Sequence, residues 1–481
     1  MNDPRSASQA PTSLTASLSW GSAPALDAFE TLMWRLDTYP NLRSAVVGIE
    51  LLDRAPDRAR MLAAHAWGVR AVPRLRQKLV DVPLGTPEWV NDVRFDLASH
   101  LDFITLPAPG SQRQLLDVAQ NFAMEPFDRD RPLWSARVVL GLEGGRAAYI
   151  LKLHHAMSDG IGIVQLMSFM HSRKREPSAE RELAPTVVDA GDGGVSVVDA
   201  ARRQLRREIA KLPSRVGQGV AALRDWIRPA DDQTSRLSRI ARYAASLRRA
   251  LAPYMAPPSP LLAQRTFEWR FEAMEVPLAP FKAAAKACGA SLNDAFVAGM
   301  LGGFARYHAH FGITHDELPI GIPISVRAAG DTGGGNKFAP GQLAGMLGAA
   351  PPQERMRHIG EQVARLRDEP ALLAPFAIMP LLARLPTSAV AKAMGPKMAA
   401  NDLQMSNVPG IRDEVYMAGA KITHLFPYAP LPGVAAMIAL LTHGERCCIG
   451  LNLDAGAITE PEVLMRALHE SFDEIIALGV R

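Results

Sequence analysis

The segment LKLHHAMSDGIG (residues 151–162) places two adjacent histidines shortly before an Asp-Gly pair, and its flanks predict how it folds. Upstream, residues 134–140 alternate apolar side chains with others, which is typical of a strand. The sequence Glu143-Gly144-Gly145 supplies a turn, and the apolar run 148–153 predicts the returning strand of a hairpin. The histidine pair is therefore expected where a strand ends.

A helix is predicted directly after this segment. Ser158 and Asp159 are residue types that cap helix N-termini. The apolar residues that then recur at helical spacing are Ile163, Leu166, Met167 and Met170. HHAMSDG is therefore predicted to be a strand–loop–helix junction, where a rigid strand can position catalytic groups on a short loop.

The two histidines have a structural and a chemical interpretation. They could be two buried polar side chains that close a strand, or one of them could be a catalytic base. A neutral imidazole, with an ordinary pKa of about 6.5, can take a proton from a hydroxyl at neutral pH. The hydroxyl oxygen can then attack a thioester, whose thiolate leaves easily. In this interpretation His155 is the base, His154 holds the loop, Asp159 fixes its geometry and Gly160 permits close approach.

The composition predicts a globular protein of two domains. The chain has 481 residues, is 48% hydrophobic and carries a formal net charge of +4, which is too small to indicate a nucleic-acid partner. The cysteines Cys288, Cys447 and Cys448 are too few for a disulfide framework and favour a reducing compartment. They also lack the partners of a zinc site, so no metal is expected. No apolar run is long enough to cross a bilayer, which predicts a soluble or peripheral protein.

The chain divides by composition. Residues 1–24 are rich in Ser, Ala, Thr and Pro and lack the apolar core of a signal peptide, so a flexible tail is expected. Domains are predicted over residues 25–185 and 263–481, joined by a helical linker over 186–262. Within the linker, residues 201–250 have a marked excess of arginine. Such a helix either packs on its own domain or lies on an anionic membrane or lipid-droplet surface.

HHAMSDG and several further segments together resemble a known family. HHxxxDG is the signature of CoA-dependent acyltransferases, a superfamily that includes peptide-synthetase condensation domains. The ordered set of further segments narrows the resemblance to the bacterial wax ester synthase/diacylglycerol acyltransferase family. These segments are LDAFETLMWRLD, FDRDRPLW, SLNDAFVAG, GIPISVR, GGN ending at Asn336, and MSNVPG.

The resemblance implies a fold, a reaction and a set of site residues. The fold is α/β, with two chloramphenicol-acetyltransferase-like domains that have mixed sheets and a site between them. The reaction is direct transfer from acyl-CoA, a substrate, to diacylglycerol or a long-chain alcohol, with no cofactor. His155 would be the general base, and Asp159 would pair with Arg327. The residues that would bind substrate or shape the site are Asn293, Asp294, Ser325, Arg327, Asn336, Ser406 and Asn407.

Some of these residues also have a structural interpretation. Asn293-Asp294 follows Ser291, so the pair fits a helix N-cap as well as a reaction centre. Ser325 could stabilise an oxyanion, whereas Arg327 ends a predicted strand and could lie on the surface. Residues 406–410 are good turn formers, which predicts a turn that shapes the site.

One segment departs from the family pattern and leaves the acceptor open. The family carries a Ser-Tyr-like pair where this chain has LLTHGERCC (residues 440–448). One alternative keeps the chemistry and changes the acceptor to a polyketide, a glycolipid or another small alcohol. A second is a non-catalytic protein that binds acyl-CoA or lipid. Covalent catalysis by Cys447 or Cys448 has no supporting context. The expected partners are acyl-CoA and a lipid alcohol, in the cytoplasm or at its membrane and lipid-droplet surfaces.

Overall fold

The computed structural model describes residues 20–82, 85–176, 200–204, 206, 256–325, 336, 338–348, 350–369, 378–398 and 400–479. The strands are β1 (Ala45–Leu52), β2 (Gln77–Val80), β3 (Glu88–Asn91), β4 (Leu101–Thr105), β5 (Trp134–Leu142), β6 (Arg146–His154), β7 (Trp269–Pro277), β8 (Glu317–Ser325), β9 (Phe338–Met346), β10 (Leu403–Ile411), β11 (Tyr416–Met417), β12 (Ala420–Tyr428), β13 (Ala436–His443) and β14 (Arg446–Asp454). The helices are α1 (Ala28–Leu36), α2 (Arg58–Ala71), α3 (Gln112–Met124), α4 (Gly160–Met170), α5 (Leu278–Ala287), α6 (Leu292–His310), α7 (Pro352–Arg367), α8 (Met379–Leu382), α9 (Thr387–Met398) and α10 (Pro461–Ala477).

The first large sheet has the order β11-β12-β1-β6-β5-β4. The predicted hairpin is observed as β5 and β6, which pair antiparallel around the turn at Glu143–Gly145. β1 lies antiparallel to β6, whereas β4 runs parallel to β5, so the sheet is mixed. Every residue of β6 after Arg146 is buried, because apolar layers cover both faces of the sheet.

The second large sheet has the order β7-β14-β13-β10-β8-β9. It is also mixed, since β10 runs parallel to both β8 and β13. Helix α6 packs against α7 and α10, and it is buried along most of its length because its sequence is apolar on all sides. The predicted α/β class with two mixed sheets is therefore what the described residues form.

The chain returns from the second sheet to the first. Residues 416–428 lie within the predicted second domain, yet β11 and β12 complete the first sheet, where Val47 of β1 faces Tyr428. A division of the chain into consecutive domains therefore misses this exchange. The reason is physical, because strand alternation predicts a strand but not the distant partner with which it pairs.

The predicted linker lies mainly outside the described residues. In its described part, Arg203 Nε lies 3.4 Å from Glu88 Oε2, and Gln204 donates a hydrogen bond to Thr86. The start of the basic segment therefore packs on the first domain. No helix among the described residues is long and apolar enough to cross a membrane.

Candidate active site

The predicted strand–loop–helix junction is present and is fixed mainly by backbone hydrogen bonds. β6 ends at His154, and the His155 amide then donates to Ser44 O at 2.7 Å. Helix α4 begins at Gly160, and Asp159 caps it by accepting from the Gly162 amide at 2.9 Å. The loop is thus held at both ends by elements of the first sheet and its covering helix.

His154 is fully buried and fixed in place. Its Nδ1 accepts from the Ala156 amide at 3.0 Å, and its Nε2 lies 3.6 Å from Asp37 Oδ1. The rings of Trp34 and Phe127 contact it edge-on. Burial lowers the pKa of His154 to about 4, against the opposing effect of Asp37. A neutral imidazole in these contacts holds the loop and is not free to exchange protons with a substrate.

His155 differs from its neighbour because the residue is only partly buried. Burial lowers its pKa, while its own backbone, the Asp159 charge and the adjacent Asn336 side chain oppose that shift. Its ring lies 6.2 Å from that of Phe338 at the start of β9. Its Nδ1 meets no hydrogen-bonding partner in the described part of the chain. The ring is therefore neutral near pH 7 and retains capacity to accept a proton.

Asn336 joins His155 to the first helix. Its Nδ2 donates to His155 O at 2.9 Å, and its backbone amide donates to Glu30 Oε1 at 3.1 Å. Glu30 is also the third residue of a reciprocal cap with Asp27 at the start of α1. The resemblance named Asn336 but not Glu30. The D-x-x-E spacing of Asp27 and Glu30 is the sequence signal for that cap, although it does not predict the contact with Asn336.

The first turn of α4 contacts the second sheet. An added Cβ on Gly160 would lie 3.0 Å from Val408 Cγ2 of β10, so only glycine fits there without displacement. This close approach brings the HHAMSDG loop against the MSNVPG segment. The site therefore lies at the junction between the two large sheets.

The predicted turn at residues 406–410 is wrong. Ser406 and Asn407 are strand residues of β10 and face Ala439 and Leu440 of β13 in a parallel ladder. The ladder and the burial of Val408 outweigh the local turn preference of Ser, Asn, Pro and Gly. An irregularity in the pairing after Val408 accommodates Pro409.

The remaining predicted residues fall into two groups. Ser291 and Asp294 form a reciprocal cap at the start of α6, so Asp294 is accounted for by structure, and Asn293 is a partly buried residue of the first turn. Ser325 ends β8 and pairs with Phe338 of β9. The ring of Phe338 in turn lies 6.2 Å from the ring of His155. Arg327 lies outside the described residues.

The LLTHGERCC segment forms the hairpin of β13 and β14. Thr442 Oγ1 accepts from the Gly410 amide at 3.3 Å, and His443 Nε2 donates to Ile422 O at 3.0 Å. Burial raises the pKa of Cys447 to about 12 and that of Cys448 to about 11. These thiols are protonated at neutral pH, which argues against a nucleophilic role.

An internal cavity of about 80 Å³ lies beside the junction, between the first sheet and helices α2 and α4. Leu153, two residues before His155, is part of its lining together with Leu166, Met167 and Met170. Two buried polar pairs also line the cavity. His171 Nε2 lies 2.9 Å from Glu50 Oε1, and His65 Nε2 lies 2.8 Å from the Tyr149 hydroxyl. The described residues contain no group of three or more His, Cys, Asp or Glu side chains placed to hold a metal ion.

Comparison with known proteins identifies the family. The wax ester synthase/diacylglycerol acyltransferase catalytic-domain model matches residues 26–296, and the model of the family's C-terminal domain matches residues 335–476. A protein of Mycobacterium tuberculosis H37Rv, named as a candidate diacylglycerol O-acyltransferase, is 37% identical over 94% of this chain and 92% of its own. The chain belongs to the wax ester synthase/diacylglycerol acyltransferase family.

Solved structures agree with this family fold. The wax ester synthase/diacylglycerol acyltransferase of Marinobacter aquaeolei VT8 matches with a TM-score of 0.65 at 19% identity, over 95% of this chain and all of that one. The first condensation domain of the calcium-dependent antibiotic synthetase matches with a TM-score of 0.58 at 13% identity, over 96% of this chain and 97% of that one. These neighbours confirm the predicted pair of chloramphenicol-acetyltransferase-like domains.

Family membership also confirms the predicted class of reaction. The protein is an acyl-CoA-dependent O-acyltransferase, which transfers an acyl group to an alcohol. This result removes the alternative of a non-catalytic lipid-binding protein.

Proposed function

We propose that the protein transfers a fatty acyl group from acyl-CoA to the hydroxyl of diacylglycerol or a long-chain alcohol, with His155 as the general base. The observation that carries this proposal is the contrast within the histidine pair. His154 is buried and occupied by internal contacts, whereas His155 is neutral, partly exposed and lies where the two sheets meet. The names of the relatives, which refer to diacylglycerol and wax esters, support the class of acceptor.

The reaction then needs only one residue to carry the proton. His155 takes the proton of the acceptor hydroxyl as its oxygen attacks the thioester carbonyl, and the new C–O bond gives a tetrahedral oxyanion. The oxyanion collapses, the C–S bond breaks, and the CoA sulfur leaves as a thiolate that takes the proton back from His155. Atoms balance to an ester and free CoA, without an acyl-enzyme.

Neighbouring residues position this base. His154 and the Ser44 carbonyl fix the loop, and Asn336 holds the His155 carbonyl. Asp159 favours the imidazolium that forms in the transition state because its negative charge is close by. We also propose the oxyanion role of Ser325 and the pairing of Asp159 with Arg327, which the family resemblance implies.

The cavity supports an apolar substrate. Its lining is predominantly aliphatic and aromatic, and it extends from Leu153 along helix α4, away from the histidine pair. The volume of about 80 Å³ accommodates only a few methylene groups, so the cavity would take one end of an acyl chain and not its whole length. The surrounding sheet would exclude water from the chain, which favours transfer over hydrolysis.

A CoA-release assay tests the proposal. Purified protein is given palmitoyl-CoA with a panel of hydroxyl acceptors that includes a diacylglycerol, a long-chain alcohol and a short glycolipid. We expect CoA release and ester formation with the diacylglycerol or the long-chain alcohol. Preferential acylation of the glycolipid or another small alcohol would support the alternative acceptor, and release without ester formation would contradict transfer.

A further inference from the structure

Residues 378–385, here called the apolar segment, expose three large hydrophobic side chains. Ile378, Leu381 and Leu385 have exposed fractions of 51%, 60% and 43%. Leu381 lies in the short helix α8, and Ile378 and Leu385 flank it, so the three exposed side chains alternate with the inward-packed Met379, Leu382 and Ala383. A single exposed leucine is ordinary, but three large exposed apolar side chains within eight residues form an apolar patch.

The opposite side of the apolar segment is also apolar and is anchored to the protein. Ala383 is buried in a cluster with Leu32 and Leu36 of α1, and Met379 and Leu382 pack against the same cluster. Arg35 of α1 donates to the Ala383 carbonyl. A surface helix normally turns a polar face outward, so a fixed segment that is apolar on both sides indicates a second apolar partner.

The segment's own stretch of the chain carries charges of one sign, and the neighbouring carboxylate of Asp81 is paired with Arg35 at 2.7 Å. Residues 370–401 contain Arg384, Lys392 and Lys397 but no Asp or Glu. Arg384 and Lys392 are exposed, and neither forms an ion pair with a carboxylate of the described chain. Apolar side chains flanked by unpaired cations complement the interface of an anionic phospholipid layer, where lipid headgroups are negative and the region below them is apolar.

The surface lies one helix away from the reaction centre. Helix α1 packs against the apolar segment through Leu32 and Leu36, while its Trp34 contacts His154 and its Glu30 bonds to Asn336. An α-helix with its side chains is about 10 Å across, so a lipid layer on the apolar segment would be close to the site.

We propose that the apolar segment, with Arg384 and Lys392, docks the protein on an anionic phospholipid surface. Docking there brings the site to the lipid layer from which a diacylglycerol or long alcohol must be withdrawn. The role of this contact in delivering an acceptor depends on the proposed function, in which the acceptor is a lipid. Binding to the phospholipid surface does not depend on it.

Vesicle sedimentation tests the docking surface. The vesicles contain phosphatidylcholine and phosphatidylglycerol in equal parts, and a second set contains phosphatidylcholine alone. We expect the parent protein to bind the mixed vesicles and the Ile378→Ser/Leu381→Ser/Leu385→Ser variant to bind about tenfold less tightly or worse, because apolar area is removed from the contact. The matched control is Leu62→Ser/Val93→Ser, which removes two exposed apolar side chains elsewhere and should bind like the parent.

The charge requirement is tested with Arg384→Gln/Lys392→Gln. This variant should bind mixed vesicles more weakly and with less salt dependence than the parent, and should match it on phosphatidylcholine alone. Parent protein that ignores the mixed vesicles, or a triple-serine variant that binds them equally well, would overturn the proposal. A parent dimer that the triple-serine changes convert to a monomer, with vesicle binding unaltered, would instead assign the surface to a second copy of the chain.

CoA-release assays distinguish a failure of the docking proposal from a failure of the proposed function. The triple-serine variant should release CoA at the parental rate with a short water-soluble acyl-CoA and alcohol, and more slowly with diacylglycerol carried in the mixed vesicles. Equal loss on both substrates would contradict docking. A parent protein that acylates no alcohol in any form would instead contradict the proposed function, and vesicle binding would still be measurable.

Discussion

At the scale of the residue, two adjacent histidines acquire different properties from their surroundings. Burial lowers both pKa values, so both rings are neutral at pH 7, but His154 is fully buried and His155 only partly. The sequence predicted that the pair ends a strand. It could not show which ring is enclosed, because Trp34, Asp37 and Phe127 reach His154 from distant parts of the chain.

The two buried cysteines provide a first prediction. Because burial raises the thiol pKa values to about 12 and about 11, neither Cys447 nor Cys448 supplies a thiolate at neutral pH. Cys447→Ala and Cys448→Ala should retain the parental kcat for CoA release when compared at equal folded fraction. A large loss of kcat in either folded variant, or a trapped acyl-thioester on the protein, would show covalent catalysis.

Glu30 provides a prediction about pH. Burial, together with the nearby Asp27 charge, raises the pKa of Glu30 to about 7. A raised carboxyl pKa means that the folded state binds this proton more tightly, so its stabilising contribution is present below about pH 4.5 and is lost as pH rises through 7. Glu30→Gln, which keeps a side chain suited to the cap, should remove this part of the pH dependence.

The measurement is the free energy of unfolding of the parent and Glu30→Gln between pH 5 and pH 8. The variant should gain on the parent as pH rises, by up to about 3 kcal/mol across this range. A constant difference between the two proteins over that range would show that Glu30 does not titrate there.

Among the helices and strands, the sequence predicted correctly those whose position depends on neighbouring residues in the chain. The hairpin of β5 and β6 and the start of α4 follow from alternation, a turn and a capping residue, and all are observed where expected. The failure at β10 has the opposite cause. Its Ser, Asn, Pro and Gly prefer turns, but pairing with β13, which is remote in sequence, determines their conformation.

The contact between α4 and β10 can be tested by a change of size. Gly160→Ala places a methyl group about 3 Å from Val408 Cγ2, which is closer than ordinary van der Waals contact, so the loop should shift slightly away from the second sheet and activity should fall. Adding Val408→Ala should restore much of that activity because it creates the missing space. The control is Gly395→Ala in helix α9, where an added Cβ meets nothing within 4 Å. If the double variant is no better than Gly160→Ala, the crowding explanation is wrong.

At the scale of the whole molecule, two mixed sheets contribute different parts of one site. The loop after β6 supplies the histidines, and Asn336 and Val408 approach them from the segments that form the second sheet. The length and composition predicted two domains, and the family resemblance added their α/β fold and a site between them. The return of β11 and β12 to the first sheet was missed, because pairing between strands far apart in the chain leaves no local pattern.

Asp159 and Arg327, which we propose to pair, fall in different predicted domains of the sequence. Asp159→Asn keeps a helix-capping side chain and removes the charge, and Arg327→Gln removes the proposed partner. Activity and stability of both single variants should fall, and the double variant should lose less than their sum. Strict additivity in this double-mutant cycle would exclude the pair.

Whether His155 is the base for acyl transfer is measured by kcat/KM for CoA release from palmitoyl-CoA with the preferred acceptor. We expect His155→Ala to lose roughly 10²–10⁴-fold and His154→Ala to lose far less, when both are compared at equal folded fraction by circular dichroism. Because burial lowers the pKa of His155 beneath the ordinary imidazole value, the parental rate should hold near neutral pH and fall only in the more acidic range where His155 takes a proton, while the residual His155→Ala rate should not show this decline. A folded His155→Ala protein with the kcat/KM and the pH profile of the parent would contradict the claim.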